Sequence, residues 1–391
     1  MSPPPAISSA EIEPLLARPL ISRPLALNHG FSGEAEDERA CNTAIRHGSR
    51  SFHLASLLLP RSTRRAARAL YAFCRHSDDL IDEPNSGLPA LMRLRHRLAR
   101  IYSGTPEAYA CDRAFARVVE SHCIPKPVVS ALLEGFEMDL SGCRYRSIDD
   151  LKVYATNVAS SVGVMMAMVM GVQDQAALAR AADLGIAMQL TNIARDVGED
   201  ARNGRLYLPL DWLAEAGIDP GIFLKRPSFS PGLGHLVERL LQEAERHYRL
   251  GHAGVAALPP ECRRAIRAAA LIYEAIGHEI AAADFDTVTR RAKTSLPTKL
   301  RLLVRAGRAE PRWAETTARD MTVPCEPASA PLVSIAAAAL QSRRGTEPLR
   351  TAPAAGASER LTTILLSLHA NTREELHNRR LAAREKVARL A

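Results

Sequence analysis

The sequence predicts an all-α fold, and three observations support this prediction. Hydrophobic residues make up 47% of the 391 residues, enough for a sizeable core, whereas aromatic residues make up only 5%. Alanine, leucine and arginine dominate the composition, which favours helices over strands. Between about residue 41 and about residue 307, helical runs are punctuated by proline or glycine, and few stretches alternate with period two. We therefore expect helices almost throughout and almost no sheet.

The chain divides into four predicted regions. Residues 1–39 are rich in proline and serine and then acidic, which is typical of a disordered lead-in. Residues 40–308 carry the helical domain, and residues 309–357 are rich in Pro, Ala, Ser and Thr, as in a low-complexity linker. Residues 358–391 are predicted to form a C-terminal amphipathic helix, because apolar residues repeat there at i, i+3, i+4 and i+7, at Leu361, Ile364, Leu365 and Leu368. We expect a loosely held surface helix; docking on the core, on a partner or on a membrane are the alternatives.

Charge and cysteine content narrow the class of protein. The formal net charge of +8 suits an anionic partner: nucleic acid, a membrane surface or a phosphorylated substrate. No nucleic-acid-binding motif is recognisable, so no nucleic-acid partner is predicted. The seven cysteines are scattered without a CxxC pair or a Cys/His cluster, which indicates neither a zinc site nor a disulfide framework and fits a cytoplasmic protein. The start of the chain is not a secretory signal, and the apolar stretch at 162–172 is too short to span a bilayer.

The stretch "YAFCRHSDDLIDEP" at residues 71–84 places four acidic side chains within six positions. At about 100° per residue, one narrow stripe of a helix contains Tyr71, Arg75, Asp78 and Asp82. The helix must end near Pro84, because proline disfavours helical geometry in the residue before it.

A second segment, residues 188–200, repeats this design. Its stripe is spaced i, i+3, i+7, i+11 and consists of Gln189, Asn192, Asp196 and Asp200, with Arg195 beside it. Two such stripes facing each other across a bundle would repel unless cations lay between them. Oxygen-only ligands suit Mg²⁺ or Mn²⁺ rather than zinc, and Mg²⁺ completes its shell with water and phosphate oxygens. With arginines as further phosphate partners, the residues predict a diphosphate held by metal between two acidic helices.

Five stretches carry a resemblance to a known family. They are "HGSRSFHLAS" (47–56), "YAFCRHSDDLID" (71–82), "YATNVASSVGVMM" (154–166), "QLTNIARDVGEDARNGRLYLP" (189–209) and "IYEAI" (272–276). Over about residues 41–305 the chain resembles the squalene/phytoene synthase family of head-to-head prenyl transferases, above all its bacterial phytoene-forming members. The resemblance implies a single large helical bundle of the isoprenoid (terpenoid) synthase type with a central cavity.

The resemblance also implies a role for each matching residue. The metal ligands would be Asp78, Asp82, Asn192, Asp196 and Asp200. The catalytic set would be the four aspartates together with Tyr71 and Tyr273, which line the reaction centre. The substrate-binding residues would be Ser49, Arg50, Phe52, Arg75, Val158, Ala159, Val162, Gly163, Gln189, Asn192, Arg195 and Arg291. The arginines in this set would contact diphosphate, with Arg291 the loosest match, and residues 158–163 match a break in the family's helix beside the prenyl chain.

The implied reaction condenses two geranylgeranyl diphosphates head to head. It passes through a cyclopropyl (prephytoene) diphosphate to phytoene and releases diphosphate, the first committed step of carotenoid biosynthesis. NADPH is not expected: "GLGHLV" at 232–237 lacks the last glycine of a dinucleotide fingerprint. Ser56, one helical turn beyond Phe52, leaves room for a longer chain than a bulky aromatic residue would. Both substrate and product are greasy, so peripheral association with the inner face of the membrane is a second prediction for location.

Two alternatives stay open at this point. The first keeps the enzyme class and makes the chain a squalene, dehydrosqualene or presqualene diphosphate synthase that uses farnesyl diphosphate. The second is a non-catalytic relative that acts as an assembly factor, which would be expected to lose the metal-binding carboxylates that this chain keeps. ATP dependence and oligomeric state are not predicted by the sequence.

Overall fold

The computed structural model describes residues 31–83, 87–307 and 318–343, and these ranges contain helices but no β-strand. This confirms the all-α prediction. The helices, in chain order, are α1 (Phe31–Gly48), α2 (Arg50–Ser56), α3 (Arg61–Asp82), α4 (Gly87–Tyr102), α5 (Ala110–His122), α6 (Lys126–Leu140), α7 (Ile148–Ala155), α8 (Ser161–Val169), α9 (Gln175–Arg202), α10 (Leu210–Glu215), α11 (Pro220–Lys225), α12 (Pro231–Gly254), α13 (Pro260–Ala281), α14 (Leu296–Arg305) and α15 (Ala330–Arg343). A π-helix, Thr156–Ser160, joins α7 to α8, and a 3-10 turn, Val255–Ala257, follows α12. No helix in the described ranges has the length and apolar character needed to cross a bilayer.

Local signals explain where several helices begin. Asp174 precedes α9 and its side chain accepts a hydrogen bond from the Ala177 amide at 2.9 Å. Ser147 and Asp150 form a reciprocal capping box at the start of α7. The helices α12 and α13 carry proline in their first turn, where the missing amide hydrogen is not needed.

The 28-residue helix α9 lies at the centre of the bundle, packed against α8, α12, α13 and the π-helix. Two glycines allow the close approach between α9 and the π-helix region. A Cβ atom at Gly185 would lie 2.7 Å from the Ala159 carbonyl oxygen, and one at Gly163 would lie 2.6 Å from the Ala181 carbonyl oxygen. The Ser160 hydroxyl adds a 2.8 Å hydrogen bond to the Ala182 carbonyl. Backbone therefore lies against backbone at this contact, which fixes α9 relative to the π-helix.

We expect Gly185→Ala to destabilise the protein by about 1–3 kcal/mol, because the added methyl group meets backbone atoms that cannot move aside as a side chain can. Thermal unfolding measures the effect. Gly33→Ala in α1 is the matched control, since nothing lies within 4 Å of its Cβ position and alanine favours helix. A Gly185→Ala protein that melts at the same temperature as the Gly33→Ala protein would contradict the close packing described here.

The structure differs from the predicted disordered lead-in at residues 31–39, which belong to α1. Asp37 is fully buried, and both its oxygens are bound by arginines of α5: Arg113 Nη2 at 2.5 Å and Arg117 Nη2 at 2.8 Å. The acidic composition that suggested disorder therefore includes a buried carboxylate neutralised by a helix distant in sequence. The rest of the predicted lead-in, residues 1–30, lies outside the described residues.

The predicted linker also differs, because residues 330–343 form α15 and pack against α6, α8 and α9. The apolar residues buried there are Leu332, Val333, Ala336, Ala337, Ala339 and Leu340. Alanine is common in linkers but is also the strongest helix former, so composition alone could not separate the two states. The predicted C-terminal helix at 358–391 lies outside the described residues.

A buried charged network attaches residues 318–343, here called the C-terminal segment, to the bundle. Arg180 of α9 donates to the Asp320 carbonyl at 2.5 Å, and its Nε lies 3.0 Å from Asp183. His247 of α12 forms a 2.8 Å hydrogen bond with Asp183, and its other ring nitrogen lies 3.6 Å from Glu326. Arg180, Asp183 and His247 are each at most 1% exposed. The C-terminal segment therefore supplies polar partners to Arg180 and His247, which solvent does not reach.

Candidate active site

The first acidic stripe lies on the last three turns of α3, and the helix ends at Asp82, in agreement with the sequence prediction. Tyr71, Arg75, Asp78 and Asp82 share one face. The Arg75 guanidinium lies 3.2 Å from Asp79 through Nε and 3.4 Å from Asp78 through Nη1. The Asp78 side chain is 46% exposed, so a ligand can reach it.

The second stripe lies on the last turns of α9. Its polar residues are partly exposed, whereas Leu190, Ile193, Ala194 and Val197 between them are buried. Asp196 is bound by Arg195, with Nε–Oδ1 at 2.9 Å, and by Arg291, with Nε–Oδ1 at 2.7 Å. Burial would raise the pKa of Asp196, but hydrogen bonds from both arginines outweigh burial and hold the pKa below its ordinary value. The structure thus brings Arg291, the loosest sequence match, to the second stripe.

Arg205 joins the ends of the two stripes. Its Nη2 lies 2.8 Å from Asp82 Oδ1 of the first stripe, and its backbone amide donates to the Asp200 carbonyl of the second at 2.8 Å. The carboxylates repel one another in this arrangement. Burial and then Asp82 raise the pKa of Asp78 to about 6, and burial and then Asp196 raise the pKa of Asp200 to about 7. Two of the four carboxylates are therefore poised to gain from a cation.

The donor set fits a divalent metal that binds oxygen. Each stripe could supply two carboxylates and Asn192 an amide oxygen, and the two stripes contain no cysteine or histidine. In the described ranges no three acidic, histidine or cysteine side chains converge into a complete metal site. A Mg²⁺ ion bound here would therefore take one or two carboxylates from a stripe and its remaining ligands from water and substrate. A phosphorylated ligand beside such an ion would replace part of its water shell.

We expect divalent metal to stabilise the protein more at about pH 8 than at about pH 5.5, because acid protonates Asp78 and Asp200, whose pKa values are about 6 and about 7. In the metal-free protein, these two groups make stability depend on pH in the opposite direction. The folded-state pKa values lie above the unfolded value, so these groups contribute stability at low pH that is lost as pH rises through 6 to 7.

Thermal melts with and without MgCl₂ at several pH values measure this difference. A variant with both Asp78→Asn and Asp200→Asn is the control and should lose most of the pH dependence. The same metal-induced change in Tm at both ends of the pH range, in the unmodified protein, would contradict the assignment.

An aromatic wall lies next to the acidic cleft. The Phe52 ring stacks on Tyr273 with centroids 5.1 Å apart and lies 6.2 Å from the Tyr71 ring. Ser49 caps α2 by accepting a hydrogen bond from the Phe52 amide at 3.2 Å, which orients this helix. Burial raises the pKa of Tyr71 and of Tyr273 to about 12, so both phenols are neutral at physiological pH. Three neutral ring faces can stabilise positive charge that forms near them.

The predicted helix break is present as the π-helix Thr156–Ser160. Val158 and Ala159 lie within it, and Val162 and Gly163 lie in the first turn of α8. All four are partly exposed, whereas neighbours such as Ser160 and Val164 are buried. Gly163 also makes the close contact with α9 described above.

Other predicted residues occupy different surroundings. Arg50 is exposed at the start of α2. Burial lowers the pKa of the Lys299 amine, and the nearby positive charge of Arg50 lowers it further. Ser56 ends α2, is buried, and donates to the His53 carbonyl at 2.8 Å. Gln189 and Asn192 are partly exposed, and their spacing places them on the same side of α9 as Asp196 and Asp200.

Two polar residues beside the acidic stripes, Asp139 and Tyr154, were not among the predicted site residues. Asp139, at the end of α6, accepts hydrogen bonds from Tyr207 at 2.7 Å and Tyr154 at 2.9 Å. Burial raises the pKa of Asp139, and the two phenols partly oppose that rise. The two tyrosines stand inside the quoted motifs, but Asp139 is a single acidic residue on an otherwise ordinary helix. No local pattern in the sequence could have identified it.

A helical bundle with two acidic stripes, arginines between them and an aromatic wall beside them defines the isoprenoid (terpenoid) synthase class. Within that class the chain belongs to the squalene/phytoene synthase family, whose family model matches residues 45–298.

Named relatives agree with this membership. The phytoene synthase of Rhodobacter capsulatus is 50% identical over 270 residues, which cover 68% of this chain and 80% of that protein. The phytoene synthase of Cereibacter sphaeroides is 44% identical over 349 residues, covering 86% of this chain and 95% of that protein. Among solved structures, a dehydrosqualene synthase in complex with ligand has a TM-score of 0.65 at 30% identity and covers 71% of this chain and 97% of its own. A squalene synthase from Alicyclobacillus acidocaldarius, with a TM-score of 0.59 at 24% identity over 65% of this chain and 96% of its own, supports the fold alone.

Proposed function

We propose that this protein is a phytoene synthase that condenses two molecules of geranylgeranyl diphosphate. The observation that carries the proposal is the pair of acidic stripes bridged by Arg205 beside the aromatic wall of Phe52, Tyr71 and Tyr273. Such a cleft can bind a diphosphate at one end and shelter a carbocation at the other. The phytoene synthases to which the chain is 44–50% identical support the same product.

The metal proposed for this site is Mg²⁺, with Mn²⁺ as the alternative, held by Asp78 and Asp82 and by Asn192, Asp196 and Asp200. When bound, it supplies Lewis-acid stabilisation of the departing diphosphate. Arg75, Arg195 and Arg291 already lie at these carboxylates and can turn to the diphosphate oxygens when metal replaces them. No hydride donor is part of this proposal, and the role of ATP is left open.

The proposed reaction has two stages, each of which begins with the departure of a diphosphate. The C1–O bond of one substrate breaks, the alkene of the second attacks C1, and loss of one proton closes a cyclopropane that keeps one diphosphate. That diphosphate then leaves, the two C1 carbons join while both ring bonds to the attacked C1 break, and loss of a second proton gives the central triene. The aromatic wall stabilises each cation through its ring faces, and the surrounding apolar core excludes water that would otherwise capture it.

A second candidate function uses farnesyl diphosphate and yields a C30 product. The 30% identical dehydrosqualene synthase structure favours it. Against it, Ser56 is small where a large aromatic side chain would occupy volume at the base of α2. We therefore favour the C20 substrate.

The test is to incubate the full-length protein with Mg²⁺ and either prenyl diphosphate, with and without NADPH, and to identify the hydrocarbon by chromatography and mass spectrometry. A C40 triene from the C20 substrate, independent of NADPH, supports the proposal. A C30 hydrocarbon from farnesyl diphosphate, with no turnover of the C20 substrate, would overturn it.

We also propose a cytoplasmic protein that associates peripherally with the inner face of the membrane. The product carries no charge and must enter a bilayer, and the net charge of +8 favours contact with anionic lipid. Co-sedimentation with anionic and with neutral vesicles separates this from a protein that binds no lipid.

A further inference from the structure

Asp139 belongs to neither acidic stripe, yet it is the centre of a hydrogen-bonded group of three side chains. Its Oδ1 accepts from the Tyr207 hydroxyl at 2.7 Å and its Oδ2 from the Tyr154 hydroxyl at 2.9 Å, and the two phenol oxygens are 3.4 Å apart. The three residues come from α6, from α7 and from the segment after α9. One half-buried carboxylate thus connects three separate elements beside the cleft.

The group connects to the acidic stripes through Arg205. Tyr207 follows Arg205 by two residues, and the Arg205 side chain is 2.8 Å from Asp82 while its amide is bonded to the Asp200 carbonyl. Restraining Tyr207 therefore restrains the position of Arg205 between the stripes. Asp139 also lies close enough to Asp78 and Asp200 for its charge to contribute to the rise in their pKa values.

The direction of the phenol protons has a chemical consequence. A phenol has one proton to donate, and both Tyr154 and Tyr207 donate theirs to the Asp139 carboxylate. Neither hydroxyl is then a donor for diphosphate. Their contribution to the site is geometric, through the residues they hold in place.

We propose that Asp139 is a positioning residue for the condensation: through Tyr207 and Arg205 it holds the ends of the two acidic stripes at the separation at which they share metal and diphosphate. The loss of a residue that orients metal ligands without binding the metal commonly weakens metal affinity or activity by about 10–100-fold. The role of Asp139 in the condensation rests on the proposed function, but its effect on metal binding can be measured without that reaction.

The test uses full-length Asp139→Asn and Tyr207→Phe proteins, with Glu134→Gln as the control on the exposed face of the same helix. Asparagine keeps the shape of Asp139 but turns an NH₂ group toward one phenol, and phenylalanine removes one hydrogen bond. Three quantities are measured: Mn²⁺ affinity of the substrate-free protein by electron paramagnetic resonance, kcat and KM at saturating Mg²⁺, and Tm.

We expect both variants to bind Mn²⁺ about 10-fold or more weakly than the control and to lose about 10–100-fold in kcat, with smaller changes in KM and Tm. Mn²⁺ affinity and kcat equal to those of the control would overturn the proposal. So would a loss of kcat that follows a fall in Tm while Mn²⁺ affinity is unchanged, because that pattern describes a purely structural role. If the unmodified protein forms no condensation product, the proposed function fails, and the substrate-free Mn²⁺ measurement still decides the role of Asp139.

Discussion

Replacing Asp78 with alanine is expected to lower kcat by about 10³-fold or more while leaving the fold intact. The loss is large because one stripe then keeps a single carboxylate, and a site that stabilises departing diphosphate lowers the activation barrier by several kcal/mol. The fold survives because burial and the neighbouring Asp82 already raise the pKa of Asp78 to about 6, so its charge opposes folding at neutral pH. Steady-state kinetics with geranylgeranyl diphosphate and a thermal melt measure the two effects.

Asp196→Ala gives an informative contrast. We expect a similar loss of kcat but a lower Tm than for Asp78→Ala, because Arg195 and Arg291 both lose the carboxylate that they bind. Glu120→Gln, an exposed residue on α5, is the control for the loss of a carboxylate elsewhere. Unchanged turnover in either aspartate variant would refute the assignment of these residues to the metal site.

Asp183→Ala is expected to have the largest effect on stability, about 3–5 kcal/mol. Asp183 is 1% exposed and is the carboxylate partner of both Arg180 and His247, so its removal leaves a buried guanidinium without a counter-charge. The C-terminal segment shares the same network, and we expect it to become more sensitive to limited proteolysis.

Thermal unfolding and protease digestion measure these two consequences of Asp183→Ala. Asp149→Ala is the control, because its carboxylate is 81% exposed and Lys152, its ion-pair partner, keeps Glu243 at 3.6 Å and Glu326 at 3.7 Å. If the two variants have the same Tm, the buried network contributes little to stability, and apolar contacts alone attach the C-terminal segment.

The two acidic stripes could be predicted because helical periodicity acts within a single segment. The spacing from Tyr71 to Asp82 determines which side chains share a face wherever α3 lies in the bundle. The end of α3 was predictable for the same reason, since the effect of Pro84 on the preceding residue is local.

Asp139 and the contact between Arg205 and Asp82 could not be predicted in this way. Arg205 and Asp82 are separated by 123 positions in the sequence. Asp139 lies on a helix without a recognisable motif. Helix α15 was hidden for another reason: its alanine-rich sequence is compatible with both linker and helix, and burial against α6, α8 and α9 selects the helix. Tertiary contacts decided these features, and composition does not contain them.

The pairing of arginines with the acidic stripes has a consequence for the order in which ligands bind. Asp82 is paired with Arg205, and Asp196 is paired with Arg195 and Arg291. A diphosphate that arrived alone would have to take these arginines away from their carboxylates and leave the aspartates uncompensated. A metal that arrives first releases the arginines and supplies the missing positive charge in one event. The kinetic mechanism should therefore be ordered, with inorganic diphosphate a weak inhibitor in the absence of metal and a strong one in its presence.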